Sequence, residues 1–397
     1  MAQSPRTTDA NRLLALPRPV WLLGWVSLAT DSATEAIYPL LPFFLTRVLG
    51  AGAVSLGIVE GAAEAVNSLL KIWSGQSADR RPTKRPLVLA GYSISSLVRP
   101  LIAIAQSWSQ VFAVRVVDRV GKGIRGAPRD AILAGFATPQ TRGRVFGFHR
   151  AMDHAGAVIG PALATLFLYF HPGSYRTLFG LTIIPGLIAI ALILFVREPV
   201  AASRARGDTS TAASHTSPMP AELKRFFWVL TLFTLGNSTD AFLLLRLTDV
   251  AGSARYIPLM WAALHVVKAS VSIVGGSWSD RTGRRTVIAA GWLVYAAVYV
   301  GFALSNTLVT LLAWFLVYGF YFGFAEGVEK ALVADLAPHD ARGFAFGIYN
   351  AVLGIGTLLA SVLFGVLWNA FGTGVAFGTG SALALVATVL LFALVRR

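Results

Sequence analysis

The chain has 397 residues, 55% of them apolar and only 13% charged, with a net charge of +15 and no cysteine. A water-soluble domain needs about a quarter charged residues to cover its surface, so an ordinary soluble fold is excluded and most of the chain is expected to face lipid. The missing cysteines exclude disulfides, thiol chemistry and cysteine-based metal sites. The basic excess does not read as a nucleic-acid footprint, because the arginines fall in short loops on alternate sides of apolar runs, as a topology signal does.

Apolar stretches of about 20 residues recur roughly twelve times, and only helices, which satisfy their own backbone hydrogen bonds, can occupy them in hydrocarbon. The N-terminus carries Arg6, Arg12 and Arg18 before a long apolar run with no Ala-x-Ala site, so it reads as an uncleaved first helix. The pattern predicts helices at 19–47, 54–77, 86–105, 107–136, 143–170 and 175–196, then at 222–247, 256–278, 286–304, 306–336, 342–370 and 374–395. Arg80, Arg81, Lys84, Arg85, Arg142, Arg144, Arg197, Arg281, Arg284, Arg285, Arg396 and Arg397 then share one side, against Arg47, Arg176 and Arg255 on the other. Both termini are expected in the cytoplasm, in a multi-pass protein of the cell (inner) membrane. Residues 198–221, rich in Ala, Ser, Thr and Pro, read as a cytoplasmic linker between halves at 1–197 and 222–397. The expected fold is an all-α integral membrane protein of twelve transmembrane helices, in two six-helix repeats.

Three separate blocks carry the repeat. Gly75 to Arg85 reads Gly-Gln-Ser-Ala-Asp-Arg-Arg-Pro-Thr-Lys-Arg, and Gly276 to Arg285 reads Gly-Ser-Trp-Ser-Asp-Arg-Thr-Gly-Arg-Arg. Arg142-Gly143-x-x-Phe146-Gly147 recurs as Arg342-Gly343-x-x-Phe346-Gly347, and Ala131, Ala134 and Ala137 recur as Ala331, Ala334 and Ala337, both at a shift of 200. The pattern Gly-x-x-x-Asp-Arg-x-Gly-Arg-Arg resembles the signature loop of the major facilitator superfamily of secondary transporters, between helices 2 and 3 and again between helices 8 and 9. The second copy fits it well; the first has Pro82-Thr83 where the family usually has one glycine.

Charges inside the spans carry the functional reading, since each costs roughly 2.5 to 3.5 kcal/mol at mid-bilayer unless paired, hydrated or functional. In helix 2, Glu60, Glu64, Asn67 and Lys71 form one polar stripe; in helix 8, Trp261, His265, Lys268 and Ser272 take the same places at a shift of 201. Facing stripes imply a polar central cavity, to which Tyr38 from helix 1, Arg115, Asp118, Arg119 and Lys122 from helix 4, and Asn237 and Asp240 from helix 7 are added. Glu60, Arg99 and Arg115 lie at similar depths, so structural ion pairing and substrate binding both remain open for them. Asp31 and Glu35, four apart in helix 1, are the candidate proton carriers, with structural pairing as the alternative. Two nearby carboxylates cannot both ionise cheaply in a poorly hydrated cavity, and in the N-terminal half Asp31, Glu35, Glu60, Glu64 and Asp118 outnumber Lys71, Arg99, Arg115 and Arg119 by one.

The resemblance implies alternating access between the halves, with the substrate site near mid-depth. Gly75, Asp79, Arg80, Arg85, Arg142, Gly276, Asp280, Arg281, Asp335 and Arg342 are then candidates for a cytoplasmic gate. Asp79 at the end of helix 2 can accept from free amides where helix 11 starts near Arg342, and Asp280 from those of helix 5 near Arg142, which would latch an outward-facing state. The alternative is that the loops set topology alone. Asp335 and Arg342 also resemble an acid–arginine spacing of sugar carriers in the superfamily. In helix 5, Gly156, Gly160 and Pro161 resemble the glycine–proline motif of proton-exchanging exporters; physically, glycines four apart allow close helix contact.

Gly121-Lys122-Gly123-Ile124-Arg125-Gly126 follows no strand and fits no nucleotide-binding spacing. No catalytic triad or metal cluster is legible, so neither an enzyme nor a cofactor is expected. The reading is a carrier, expected to be a monomer, that exchanges protons for a small molecule such as a drug or metabolite in contact with membrane lipid. Alternatives are a proton-coupled symporter importing an organic anion or sugar-like solute, a lipid flippase, and a non-transporting receptor.

Overall fold

A computed structural model describes residues 16–80, 83–137, 141–198, 219–338 and 342–395, apart from the side chains of 78–80, 142–143, 273–277, 280 and 342–343. Among the described residues the chain is helical throughout, with no strand. The first segment, α1, is the helix Arg18–Ile37 continued by a 3-10 turn Tyr38–Leu40, a short α turn Leu41–Phe43 and a π turn Phe44–Val48. Pro39 and Pro42 remove two ladder donors there. Next come α2 (Ala53–Arg80), α3 (Arg85–Val98, tightened to 3-10 over Arg99–Ile104), α4 (Trp108–Gly135), α5 (Arg142–Phe170) and α6 (Tyr175–Leu181 with Ile183–Leu194). The second half holds α7 (Ala221–Gly236 and Ala241–Ala251), α8 (Ile257–Thr282), α9 (Arg284–Leu304), α10 (Leu308–Leu336), α11 (Arg342–Phe371) and α12 (Thr373–Leu394).

Among the described residues, nine helices are long and apolar enough to cross a membrane. The segments α1, α4 and α8 are the three not among these nine. The mean hydropathy of α1 is lowered by Asp31 and Glu35, and α4 carries the run of charges from Arg115 to Arg125, while α8 is apolar over its described stretch Ile257–Ser272.

The packing repeats. In the first half α1 packs on α5 and α6, α2 on α4, and α3 on α4 and α6; in the second half α7 packs on α11 and α12, α8 on α10, and α9 on α10 and α12. The halves meet through the reciprocal pairs α2–α11 and α5–α8. A Cβ on Gly57 would strike the Ser361 carbonyl, and one on Gly61 would come within 2.9 Å of Leu358 Cα. The bare glycine faces therefore bring α2 and α11 into backbone contact. Nearer the signature loops the same helices diverge around a cavity of about 720 Å³ lined by Lys71, Ile72, Gly75, Gln76, Phe344, Phe346, Gly347 and Asn350.

The end of the bundle opposite the signature loops is closed across the halves. Arg47 ending α1 pairs with Asp249 ending α7 at 2.6 Å, and Arg255 leading into α8 donates to the Tyr169 carbonyl of α5 at 2.6 Å. The glycine run in α4 rejected as a phosphate loop also has a packing role. A Cβ on Gly121 would lie 2.6 Å from the Gly91 carbonyl of α3, and one on Gly123 2.6 Å from Leu70 Cβ of α2.

Candidate substrate cavity

The middle of α7 is not helical. Helix 7 was expected to run unbroken over 222–247, but it stops at Gly236 and resumes at Ala241. Gly236-Asn237-Ser238-Thr239-Asp240 are poor helix formers whose side chains compete with the backbone for hydrogen bonds. Irregular backbone at this depth must be satisfied by protein, and it is: Tyr295 Oη donates to the Gly236 carbonyl at 2.8 Å, and the Thr239 N–H donates to Ser361 Oγ at 3.2 Å. The break turns its side chains toward α10. Asn237 Nδ2 donates to Tyr321 Oη at 2.9 Å, and Tyr318 Oη donates to Asp240 Oδ1 at 2.8 Å.

These residues form one side of a cavity of about 320 Å³ between the halves. The first half contributes Glu35, Tyr38, Glu60, Glu64 and Arg119; the second contributes Asn237, Ser238, Thr239, Asp240, Trp261, Tyr318, Phe322 and Thr357. Direct bonds cross it. Trp261 Nε1 donates to Glu35 Oε2 at 2.7 Å, His265 Nε2 stands 3.9 Å from the same oxygen, and the Tyr38 and Trp261 rings lie 5.0 Å apart. Lys268 Nζ is 3.6 Å from Asp240 Oδ2 and 3.4 Å from the centre of the Phe322 ring, an arrangement that holds a cation by charge and by the ring face together.

Behind the first-half wall is a buried ion network. Arg115 grips both oxygens of Glu60 at 2.9 and 2.5 Å, Arg99 pairs with Asp118 at 3.0 Å, and Arg115 and Arg119 each stand 3.8 Å from Asp118. Arg115, expected in the substrate cavity, lies behind Glu60 and is 3% exposed. Arg125, left out of the charge tally, is also buried. With it and Lys122, six cations stand among the five acids, so the surplus acid inferred from sequence is absent. Glu64 accepts from Asn67 Nδ2 at 3.0 Å, with Lys71, Arg119 and Lys122 as its neighbouring cations.

Asp31 and Glu35 share a helix but not surroundings: Glu35 lines the cavity, whereas Asp31 lies against α5, where a Cβ on Gly156 would come 3.0 Å from its own Cβ. Gly156 and Gly160 let α1 settle onto α5, Gly160 directly against the Ser32 backbone, and Pro161 follows inside the helix. One turn away, Ser27 donates to Asp153, which also pairs with His149 at 3.5 Å.

The side chains of Asp79, Arg80, Arg142, Asp280 and Arg342 and the surroundings of Gly276 lie outside the described residues, and with them the expected latch. The other residues of that group can be placed. Gly75 lines the cavity between α2 and α11, and Arg281 is exposed. Arg85 donates to the Ile193 and Leu194 carbonyls at 3.3 and 2.5 Å, while its repeat counterpart Arg285 donates to the Phe392 carbonyl at 3.1 Å. The last basic residue of each signature loop therefore caps the final helix of its own half. Asp335 pairs with Arg284 at 3.3 Å.

Sequence reasoning missed Ser238, Thr239, Tyr318, Phe322 and Thr357. The signal for the first two is the run of five turn-forming residues at 236–240. Tyr318 and Phe322 lie one turn apart in the aromatic-rich α10, where a polar-stripe criterion passes over them.

The sequence profile of the Major Facilitator Superfamily matches residues 20–264 and 241–397. The chain is 33% identical over 382 residues to the MFS-type transporter MJ1317 of Methanocaldococcus jannaschii, covering 95% of this chain and 94% of that one. It is 26% identical to the multidrug resistance protein MdtH of Salmonella schwarzengrund, covering 88% of this chain and 84% of that one. The crystal structure of the nucleoside transporter NupG superimposes with a TM-score of 0.78 at 15% identity, over 96% of this chain and all of that one. Repeated packing, paired signature loops and a cavity shared between the halves thus meet a family match across nearly the whole sequence, and the chain belongs to the Major Facilitator Superfamily of secondary transporters.

Proposed function

We propose that the protein is a proton-coupled antiporter that exports a small organic molecule, with both chain ends in the cytoplasm. The observation that carries this reading is the bond between Glu35 of α1 and Trp261 of α8, an acid inside the cavity held by the opposite half. A proton bound at Glu35 and a substrate bound among Tyr38, Trp261 and Asp240 compete for one space, so release of one permits binding of the other. Exchange follows from that competition and from alternating exposure of the site.

Export is supported by the likeness to MdtH and by the glycine–proline stretch of α5. The lining acids and aromatic rings suit an amphipathic molecule with a cationic group, since a cation gains from carboxylates and ring faces alike. Asp31 serves in this reading as a proton way-station between Glu35 and the α1–α5 contact. Loading purified protein vesicles with candidate solutes and imposing a pH gradient tests the direction. Proton influx coupled to solute efflux is expected; accumulation of an organic anion along with protons would replace export by symport.

A further inference from the structure

The charged side chains buried deepest in the bundle are nearly all paired. Glu60, Arg99, Arg115, Asp118 and Arg119 belong to the ion network, and Arg125 gives Nη1 to Ser95 Oγ at 2.7 Å and stands 4.2 Å over the Tyr92 ring. Glu329, on α10 and 4% exposed, stands apart. Among the described residues no cation lies within 4 Å of its carboxyl group. Its oxygens meet two neutral donors instead: Trp292 Nε1 of α9 at 2.9 Å on Oε1 and Tyr349 Oη of α11 at 3.1 Å on Oε2.

This geometry serves both protonation states. An indole N–H can only donate, whereas a phenol hydroxyl can donate or accept. An ionised Glu329 therefore accepts two hydrogen bonds, and a protonated one accepts from Trp292 and donates to Tyr349 without moving a heavy atom. Both partners are rigid, since Trp292 and Tyr349 are almost fully buried and the Trp292 ring stacks on Phe233 at 4.3 Å. A carboxylate taken from water without a cation is costly, and taking up a proton relieves that cost.

The surrounding charges are engaged elsewhere. On α10, Glu326 and Lys330 pair with each other at 3.0 Å, and Tyr321 bonds Asn237. From α9 the nearby titratable group is Tyr295, which bonds the Gly236 carbonyl; Arg284 and Arg285 lie at the far start of that helix. From α8 come His265 and Lys268 and from α7 Asp240, all engaged at the central cavity, and from α11 comes Tyr349 itself.

We propose that Glu329 is a proton-binding site of the second half, separate from the cavity acids, and that its occupancy sets how firmly α10 holds α11. The ionised form makes charge-assisted hydrogen bonds, which are roughly twice as strong as neutral ones. Protonation therefore loosens the tie to Tyr349 on α11, the helix that lines the gap facing α2. A role for this site in transport rests on the proton-coupled reading above; proton binding itself is measurable without transport.

Difference infrared spectra of the purified protein in lipid vesicles, stepped from mildly alkaline to mildly acidic pH, should contain a carboxylic-acid carbonyl band that is lost in Glu329→Gln. In Tyr349→Phe the acid remains but loses one partner, so the band should persist and move. Identical spectra for wild type and Glu329→Gln overturn the site. Should Glu329→Gln fail to fold, an unmoved band in Tyr349→Phe overturns it equally.

For the link to α11, spin labels at Gln76→Cys and Ala351→Cys on this cysteine-free chain report the α2–α11 separation. A separation that changes with pH in wild type and is fixed in Glu329→Gln is expected. The same pH response in both overturns the link, whatever transport assays find.

Discussion

The two halves repeat the same helix packing but build their interiors from different chemistry. In the first half the wall behind the cavity is an ion network, with Arg115 on Glu60 and Arg99 on Asp118. In the second half the same region is filled by neutral hydrogen-bonding aromatics: Tyr295 and Tyr299 stack at 4.1 Å, Tyr318 and Tyr321 at 5.5 Å, and Tyr318 holds Asp240. The difference concerns how easily each half changes state. A buried ion pair has one good geometry and leaves an unpaired charge when broken, whereas phenol hydroxyls can exchange donor and acceptor roles in place. The first half is thus expected to be the stiffer wall, and the second half, with its broken α7 and, among the described residues, a buried Glu329 without a cation partner, the more adaptable one.

Breaking the ion network should have the largest effect. Arg115→Met leaves Glu60 buried and uncompensated, which should cost about 3–5 kcal/mol and lower the thermal unfolding temperature in detergent. Adding Glu60→Met should restore most of the loss. A single variant as stable as wild type would show that the network does not stiffen the first half.

Next is the α1–α5 contact, where the halves also differ. A side chain at Gly160 would meet the Ser32 backbone, but the repeat counterpart of Gly160 in α11 is Ala360, which the structure accommodates. Gly160→Ala should therefore cost about 1–3 kcal/mol by overpacking, while Ala360→Gly, which only opens space, should cost less; thermal unfolding of both variants checks the order.

Tyr318→Phe removes one hydrogen bond and should cost only about 0.5–1.5 kcal/mol. Its signature is functional, since Asp240 is left with Lys268 alone, and substrate affinity should change while the unfolding temperature barely moves. The smallest stability effect belongs to Arg47→Ala. The pair with Asp249 is solvent-exposed and worth about 0–1 kcal/mol, yet it ties the equivalent ends of α1 and α7. With a cysteine introduced in the cavity by Ser238→Cys, labelling from the end opposite the signature loops should rise, and unchanged labelling would remove Arg47 from the closure.

Much of the fold was legible because membrane constraints act on composition. Apolar run length, basic loops and a constant offset of 200 between repeated blocks locate the helices without knowledge of packing. The cavity was partly legible: the polar residues Glu64, Asp240 and Trp261, with Glu35 and Tyr38 of helix 1, all line it. Arg115 and Asp31 were harder to place, because helical spacing fixes a face but not the neighbour that face meets. Two residues four apart can point at different helices, as Asp31 and Glu35 do. The break in α7 was hidden by the apolar residues on both sides, although its five turn-forming residues mark it. Glu329 is visible in the sequence as an acid inside the span 306–336, but what distinguishes it, the absence of a nearby cation among the described residues, exists only in three dimensions.

The central claim is that a proton and a substrate compete at Glu35, and transport by Glu35→Gln tests it most directly. In vesicles the variant should lose solute movement driven by a pH gradient and keep gradient-free exchange of labelled for unlabelled solute, because glutamine can still accept from Trp261 but cannot release a proton. Movement driven by the pH gradient at the wild-type rate in Glu35→Gln would contradict the account.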